Sequence, residues 1–238
     1  FTRTTSNGGT VTLHADGSFD YTPAAGFSGT DTIQYLLSNR VGTDVGVINI
    51  SITDVVWFID NNSGASTADG RLASPFKSVS AFQSVNNGVG NNPKAGHSIF
   101  LFESGTAYNG SFTLLNGQKL IGQDATSSIA EITGLYLPPF SKPLPALASA
   151  NATAVTITSP ANAITLTGGG THYSIRGLTM GNKTGVGISG NNFGNLSLAE
   201  VNISGTGQAL SLSNGTITTP AGLSTNMGTL SSTSGAYG

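Results

Sequence analysis

No cysteine occurs in the 238 residues, so no disulfide staples the fold and the redox compartment stays open. Charge is also scarce: Asp, Glu, Lys and Arg together make up 8% of the chain, with a formal net charge of −2. That balance gives no basic field for nucleic acid or an anionic membrane. The chain does not read as disordered either, because hydrophobic residues reach 37%. No apolar run approaches the roughly 20 residues of a membrane-spanning helix, and the first residues are no signal peptide, so no membrane insertion is expected in this segment. Carboxylates thin out along the chain: no Asp follows Asp124, and after Lys142 the only charged side chains are Arg176, Lys183 and Glu200. A polysaccharide lyase or hydrolase needs carboxylates paired as acid and base, or holding Ca²⁺ beside a basic residue. One glutamate cannot supply such a pair, and no enzymatic activity is expected.

What the chain has instead is Gly, Ser, Thr and Asn between short apolar alternations, which suits many short strands joined by tight turns. Residues 1–53 alternate in period two. Val11 and Leu13 precede the turn Ala15-Asp16-Gly17, and Phe19 and Tyr21 follow it, a strong hairpin signal. Ile33 and Tyr35, then Val45, Val47, Ile50 and Ile52, supply two further strands. Asp16, Gly17, Phe19, Tyr21, Pro23, Gly26, Phe27, Gly29, Asp31 and Tyr35 resemble the motif of cadherin-like, immunoglobulin-like tandem modules of large bacterial surface proteins. The resemblance covers the C-terminal half of that module. Four strands leave an apolar face in need of cover, so the missing strands are expected from a preceding segment or a neighbouring subunit. The last residues, "TLSSTSGAYG", stop in mid-pattern with no capping helix, so both ends of the chain read as interrupted.

Residues 54–142 change character. A buried strand, "VVWFID", precedes the loop "NNSGASTADG", and Ser74-Pro75 reads as a helix N-cap followed by proline at the first helical position. Val79, Phe82 and Val85 then share one helical face, and "SIFLFE", "SFTLL" and "KLIGQD" read as strands. "DGRLASPFKSV", "IFLFESG" and "LNGQKLIGQ" resemble the opening turns of right-handed parallel β-helices of the pectin-lyase-like kind, and that resemblance implies a short helix plugging the end of the solenoid. Residues 143–238 carry a repeat: Leu166, Ile188 and Leu210 are spaced by twenty-two residues. Ile175, Leu178 and Met180 recur as Leu198, Val201 and Ile203, each twenty-three residues on. Turn formers at Gly168-Gly169-Gly170, Gly190-Asn191-Asn192 and Asn214-Gly215 separate the strands, as one coil of a β-solenoid requires. The expected fold class is all-β: a partial immunoglobulin-like β-sandwich followed by a right-handed parallel β-helix. Leu166 is expected over Ile188, and Leu178 over Val201.

Few residues point to chemistry. His14, His97 and His172 lie in separate regions with no shared carboxylate pattern and read as ordinary strand-end residues. The loop bracketed by Asp60, Asn62 and Asp69 is rich in oxygen donors, which suits either a turn or a Ca²⁺ site, the one cofactor weighed. "YLPPFSKPLPAL" cannot be a central strand, because its four prolines lack the ladder's N–H donor. Its Tyr136, Phe140 and Lys142 form a candidate contact patch for sugar or protein, against the alternative of a loop folded over the solenoid side. Eight Asn-x-Ser/Thr triplets, among them Asn49, Asn109, Asn151 and Asn202, are acceptors only in a glycosylating host.

The resemblances together imply an extracellular structural or adhesive protein of the bacterial cell surface, a stalk, adhesin or filament segment. Its expected partners are neighbouring copies or modules of the same protein, with surface glycans as a second class. The alternatives are a carbohydrate-active or sugar-binding β-helix and a phage-type fibre, which trimerisation would distinguish.

Overall fold

The computed structural model describes residues 1–148, 153–169, 172–220 and 228–232, with the side chain of Asn182 left out. The described residues are all-β apart from two short helices, and the chain divides into two compact units, Phe1–Val55 and Val56–Gly238.

In the first unit, β1 (Thr2–Thr4), β2 (Thr10–Leu13) and β3 (Phe19–Thr22) form an antiparallel sheet in that order. β4 (Gly29–Ser38) and β5 (Thr43–Ile52) form a separate hairpin with unbroken register from Gly29↔Ile52 to Ser38↔Thr43. The hairpin at Asp16-Gly17 stands as the alternation requires, with Val11 opposite Tyr21 and Leu13 opposite Phe19. β1 is an addition to the four expected strands; its three exposed residues carry no apolar alternation to reveal it. Val11 and Ile33 are buried, whereas Leu36, Leu37, Val45 and Val47 are exposed.

The second unit is built on parallel pairing. β6 (Val56–Ile59), β7 (Ser98–Leu101) and β10 (Lys119–Gly122) start one ladder, which continues through β13 (His172–Lys183) and β14 (Ile188–Gly205). In it Trp57, Ile99, Leu120, Ile175 and Leu198 stand over one another. A second ladder runs through β8 (Tyr108–Asn109), β11 (Thr156–Thr158) and the later halves of β13 and β14, stacking Tyr108, Ile157, Met180 and Ile203. A third joins β9 (Phe112–Leu114), β12 (Ile164–Leu166), the start of β14 and β15 (Leu210–Thr218), stacking Phe112, Ile164, Ile188 and Leu210. Side chains in these three rows are buried, apart from the partly exposed Leu210.

The twenty-three-residue spacing holds, since Ile175, Leu178 and Met180 pair with Leu198, Val201 and Ile203. The twenty-two-residue one fails by two positions at its first step. Leu166 lies against Gly190, and Ile164 is the residue over Ile188. Gly190 offers no side chain to match, so the apolar count alone misplaces the pair. The corners differ too: Gly190-Asn191-Asn192 and Asn214-Gly215 lie inside β14 and β15, where a single residue, Asn192 (φ 54°) or Asn214 (φ 53°), turns the chain without ending the ladder. Gly170 lies outside the described residues.

Helix α1 (Val79–Gln83) starts later than Ser74-Pro75 suggests; its N-cap is Ser78, whose side chain accepts from the Ala81 N–H at 3.0 Å. Ser74 instead donates its hydroxyl to Asp69, and Phe76 runs extended beside β6, its N–H 2.9 Å from Phe58 O and its carbonyl 2.8 Å from Asp60 N. Covering the edge of β6 satisfies backbone groups that a helix there would leave bare. The buried Phe82 of α1 meets Phe112 of β9, ring centroids 6.1 Å apart.

Candidate functional site

Residues immediately before the buried row of the first ladder point the other way, because side chains alternate across a strand. Lys119 pairs with Ser174, Ser174 with Ser197, and Ser197 with Thr218. These four line the floor of a cleft of about 590 Å³, with His172 and Arg176 beside them. One wall is Ser127, Glu131 and Ile132 at helix α2 (Ile129–Thr133), the other Thr219 and Pro220. α2 belongs to an excursion that leaves after β10 and returns at β11. Its N-terminus is a capping box: the Ser128 side chain accepts the Glu131 N–H, and the Glu131 carboxylate accepts the Ser128 N–H. Beneath it, Phe58, Phe100, Ile121, Ala125 and Ile129 form an apolar cluster that Ile132, Leu144 and Leu147 cover.

Charges in the cleft have partners within the chain. Lys119 Nζ donates to Thr133 O at 2.7 Å. Arg176 donates Nε and Nη2 to the two Glu200 oxygens at 2.6 and 2.7 Å, and Thr126 adds its hydroxyl. Burial pushes the Glu200 carboxyl up, but the hydrogen bonds from Arg176 and Thr126 and the Arg176 charge outweigh it and hold the pKa below the ordinary value. The Ser128 hydrogen bonds lower Glu131 likewise. Hydroxyls and fixed charges of this kind suit binding a polar chain.

The loop at Asp60, Asn62 and Asp69 is tied in two places. Asp60 Oδ1 accepts the Asn62 N–H at 2.9 Å, an Asx turn. Asp69 takes Arg71 at 2.6 Å together with the Ser74 hydroxyl, and these hydrogen bonds hold its pKa low against the burial that would raise it. Among the described residues no three His, Asp or Glu side chains gather as a metal-binding group. The histidines are apart: His14 meets Asp20 at 2.9 Å, and His97 Nδ1 accepts from Trp57 Nε1 at 3.0 Å. Asp31, buried in the first unit, accepts from the Thr5 and Tyr21 hydroxyls, Asn7 Nδ2 and the Thr32 N–H. Tyr136, Phe140 and Lys142 all stand exposed on the proline-rich loop, while Leu144 and Leu147 of the same loop pack inward. Asn151 lies outside the described residues.

Sequence reasoning overlooked the cleft floor. Its signal is a polar residue directly before each apolar one, Ser98-Ile99, Lys119-Leu120, Ser174-Ile175 and Ser197-Leu198, in phase with the repeat.

Residues 1–51 match the family model of a bacterial Ig domain. No curated protein and no solved structure matches the chain.

Proposed function

We propose that the chain is a structural and adhesive segment of an extracellular bacterial surface protein, an Ig-like module leading into a right-handed parallel β-helix that acts as a stalk without enzymatic activity. The observation that carries the reading is the set of parallel ladders, in which apolar residues of successive strands stand in register. Each coil then adds rigid length by repeating the same contacts with its neighbours, while loops and exposed faces stay available for contacts with other copies or with glycans. The bacterial Ig match at residues 1–51 supports a surface or adhesion-type module. Antibody raised against residues 1–238 is expected to label intact cells of the bacterium that makes the protein. Labelling that needs lysis would refute a surface role.

The row Lys119, Ser174, Ser197 and Thr218 favours a second reading, a groove that binds sugar without cleaving it. Ser197→Trp, which fills the floor, is expected to abolish any glycan retention held there.

A further inference from the structure

The loop after α2 carries an aromatic residue where its backbone calls for glycine. Ser141 donates its N–H to Pro138 O at 3.2 Å, closing a turn with Pro139 and Phe140 at its centre, and Phe140 has a φ of 67°. Proline followed by positive φ is the pattern of a type II turn, whose second central position ordinarily holds Gly or Asn. An L side chain there is strained, and this one finds no contact to offset the strain: Phe140 is 108% exposed and Tyr136 77%. Residues 136–143 are exposed throughout. The C-terminal foot of the loop is nevertheless fixed. Leu144 and Leu147 pack on the apolar cluster, Gln123 Nε2 donates to Ala146 O at 2.8 Å, and Gln123 O accepts the Ala148 N–H at 2.8 Å. Pro138, Pro139, Pro143 and Pro145 stiffen what lies between.

Strain kept at a stiff, solvated tip is the mark of a group pre-organised for a partner of defined shape. A fluid bilayer has no fixed geometry to reward such rigidity. The negative face of an aromatic ring does attract the slightly positive C–H face of a pyranose. Lys142, two residues on, is exposed and takes no part in the ion pairs His14–Asp20, Arg71–Asp69 and Arg176–Glu200. We propose that Phe140 is a stacking platform for a sugar ring of an anionic polysaccharide, with Lys142 placed to meet its carboxylate. The proposal rests on the adhesive reading of the chain and names its ligand class; it does not use the cleft on the first ladder.

Native gels cast with polygalacturonate, alginate or hyaluronan test it on residues 1–238, with hydroxyethyl cellulose as the neutral comparison. At least one anionic polymer is expected to retard the wild type. Phe140→Gly, which removes the strain and keeps the melting temperature at or above the wild-type value, is expected to weaken retention about tenfold. Phe140→Asn, which also tolerates this φ, behaves the same way, Phe140→Trp restores retention, and Lys142→Gln removes its dependence on salt. Absence of retardation by all three anionic polymers overturns the proposal. So does retardation unchanged in Phe140→Gly, or equal retardation by the neutral polymer. Cell-surface labelling does not depend on Phe140, so the adhesive reading and this inference fail separately.

Discussion

Glu200 offers the sharpest test of how the ladders are held at a corner. It lies opposite Gly177, since Arg176 pairs with Ala199 and Leu178 with Val201, and both residues have positive φ, 60° for Gly177 and 52° for Glu200. The turn between the first two ladders therefore uses glycine in β13 and glutamate in β14. A non-glycine residue there costs about 1–2 kcal/mol. What offsets it is the two-bonded grip on Arg176, with the Arg176 side chain 3% exposed and that of Glu200 17%. Removing one member of a buried pair costs about 3–5 kcal/mol, and the partial exposure of Glu200 puts this case at the lower end, about 3. Glu200→Ala loses the pair and keeps the strained backbone, so the full loss of about 3 kcal/mol is expected. Glu200→Gly loses the same pair but relaxes the corner, leaving a loss of about 1–2 kcal/mol. Trp57, the only tryptophan, reports on the second unit, and its fluorescence during urea unfolding measures both variants. A glycine variant no more stable than the alanine variant would refute the strain argument. Either variant within about 0.5 kcal/mol of wild type would refute the ion pair. Because the folded pKa is depressed, the stabilisation is present in full above about pH 4.3 and fades as the pH falls below it, so the wild-type advantage over Glu200→Ala shrinks in acid.

In the first unit, Asp31→Asn weakens hydrogen bonds to Thr5, Tyr21, Asn7 and the Thr32 amide, and an expected loss of about 2–3 kcal/mol is readable by hydrogen exchange of β4. Burial alone would raise the Asp31 carboxyl, but those donors hold it low, so the stability of this unit falls as the pH drops below about 3.9; protection independent of pH in that range would count against the network. Leu178→Ala empties a stacked core position and is expected to cost about 2–5 kcal/mol in the Trp57 urea assay, whereas Leu36→Ala, 67% exposed in the first unit, is expected to shift that unit's stability, read by hydrogen exchange of β4, by no more than about 0.5 kcal/mol. Incubation with polygalacturonate or alginate is expected to release no new chain ends; turnover that vanishes in Glu200→Gln would overturn the non-enzymatic reading.

Legibility in the sequence followed whether an interior demanded the residue. Leu178 over Val201 was readable, because a buried row needs an apolar side chain at the same phase in successive parallel strands. The partner of Leu166 was not, since Gly190 sits in that row and no apolar count registers a residue without a side chain. The proline-rich loop was recognised from its missing N–H donors, yet the strain at Phe140 depends on a turn type that composition does not disclose. Ser74 misled because serine before proline marks helix starts and extended edges alike; only its partner Asp69 and the β6 edge beside Phe76 decide between them. The cleft floor was missed for a similar reason: a serine in phase with a repeat means little until α2 is seen to wall it.

The excursion through residues 123–155 leaves after Gly122 and rejoins at Thr156, yet Leu120 still lies on Ile175, and Ile157 on Met180. Alignment there is dictated by inward side chains and does not depend on the length of chain between them. Whatever is spliced in at a corner is thus free to lengthen, shorten or be exchanged without renegotiating the pairing on either side. Descendants of such a chain could acquire a new recognition surface at one corner while inheriting the ladders unaltered, so loop and scaffold would diversify at different rates.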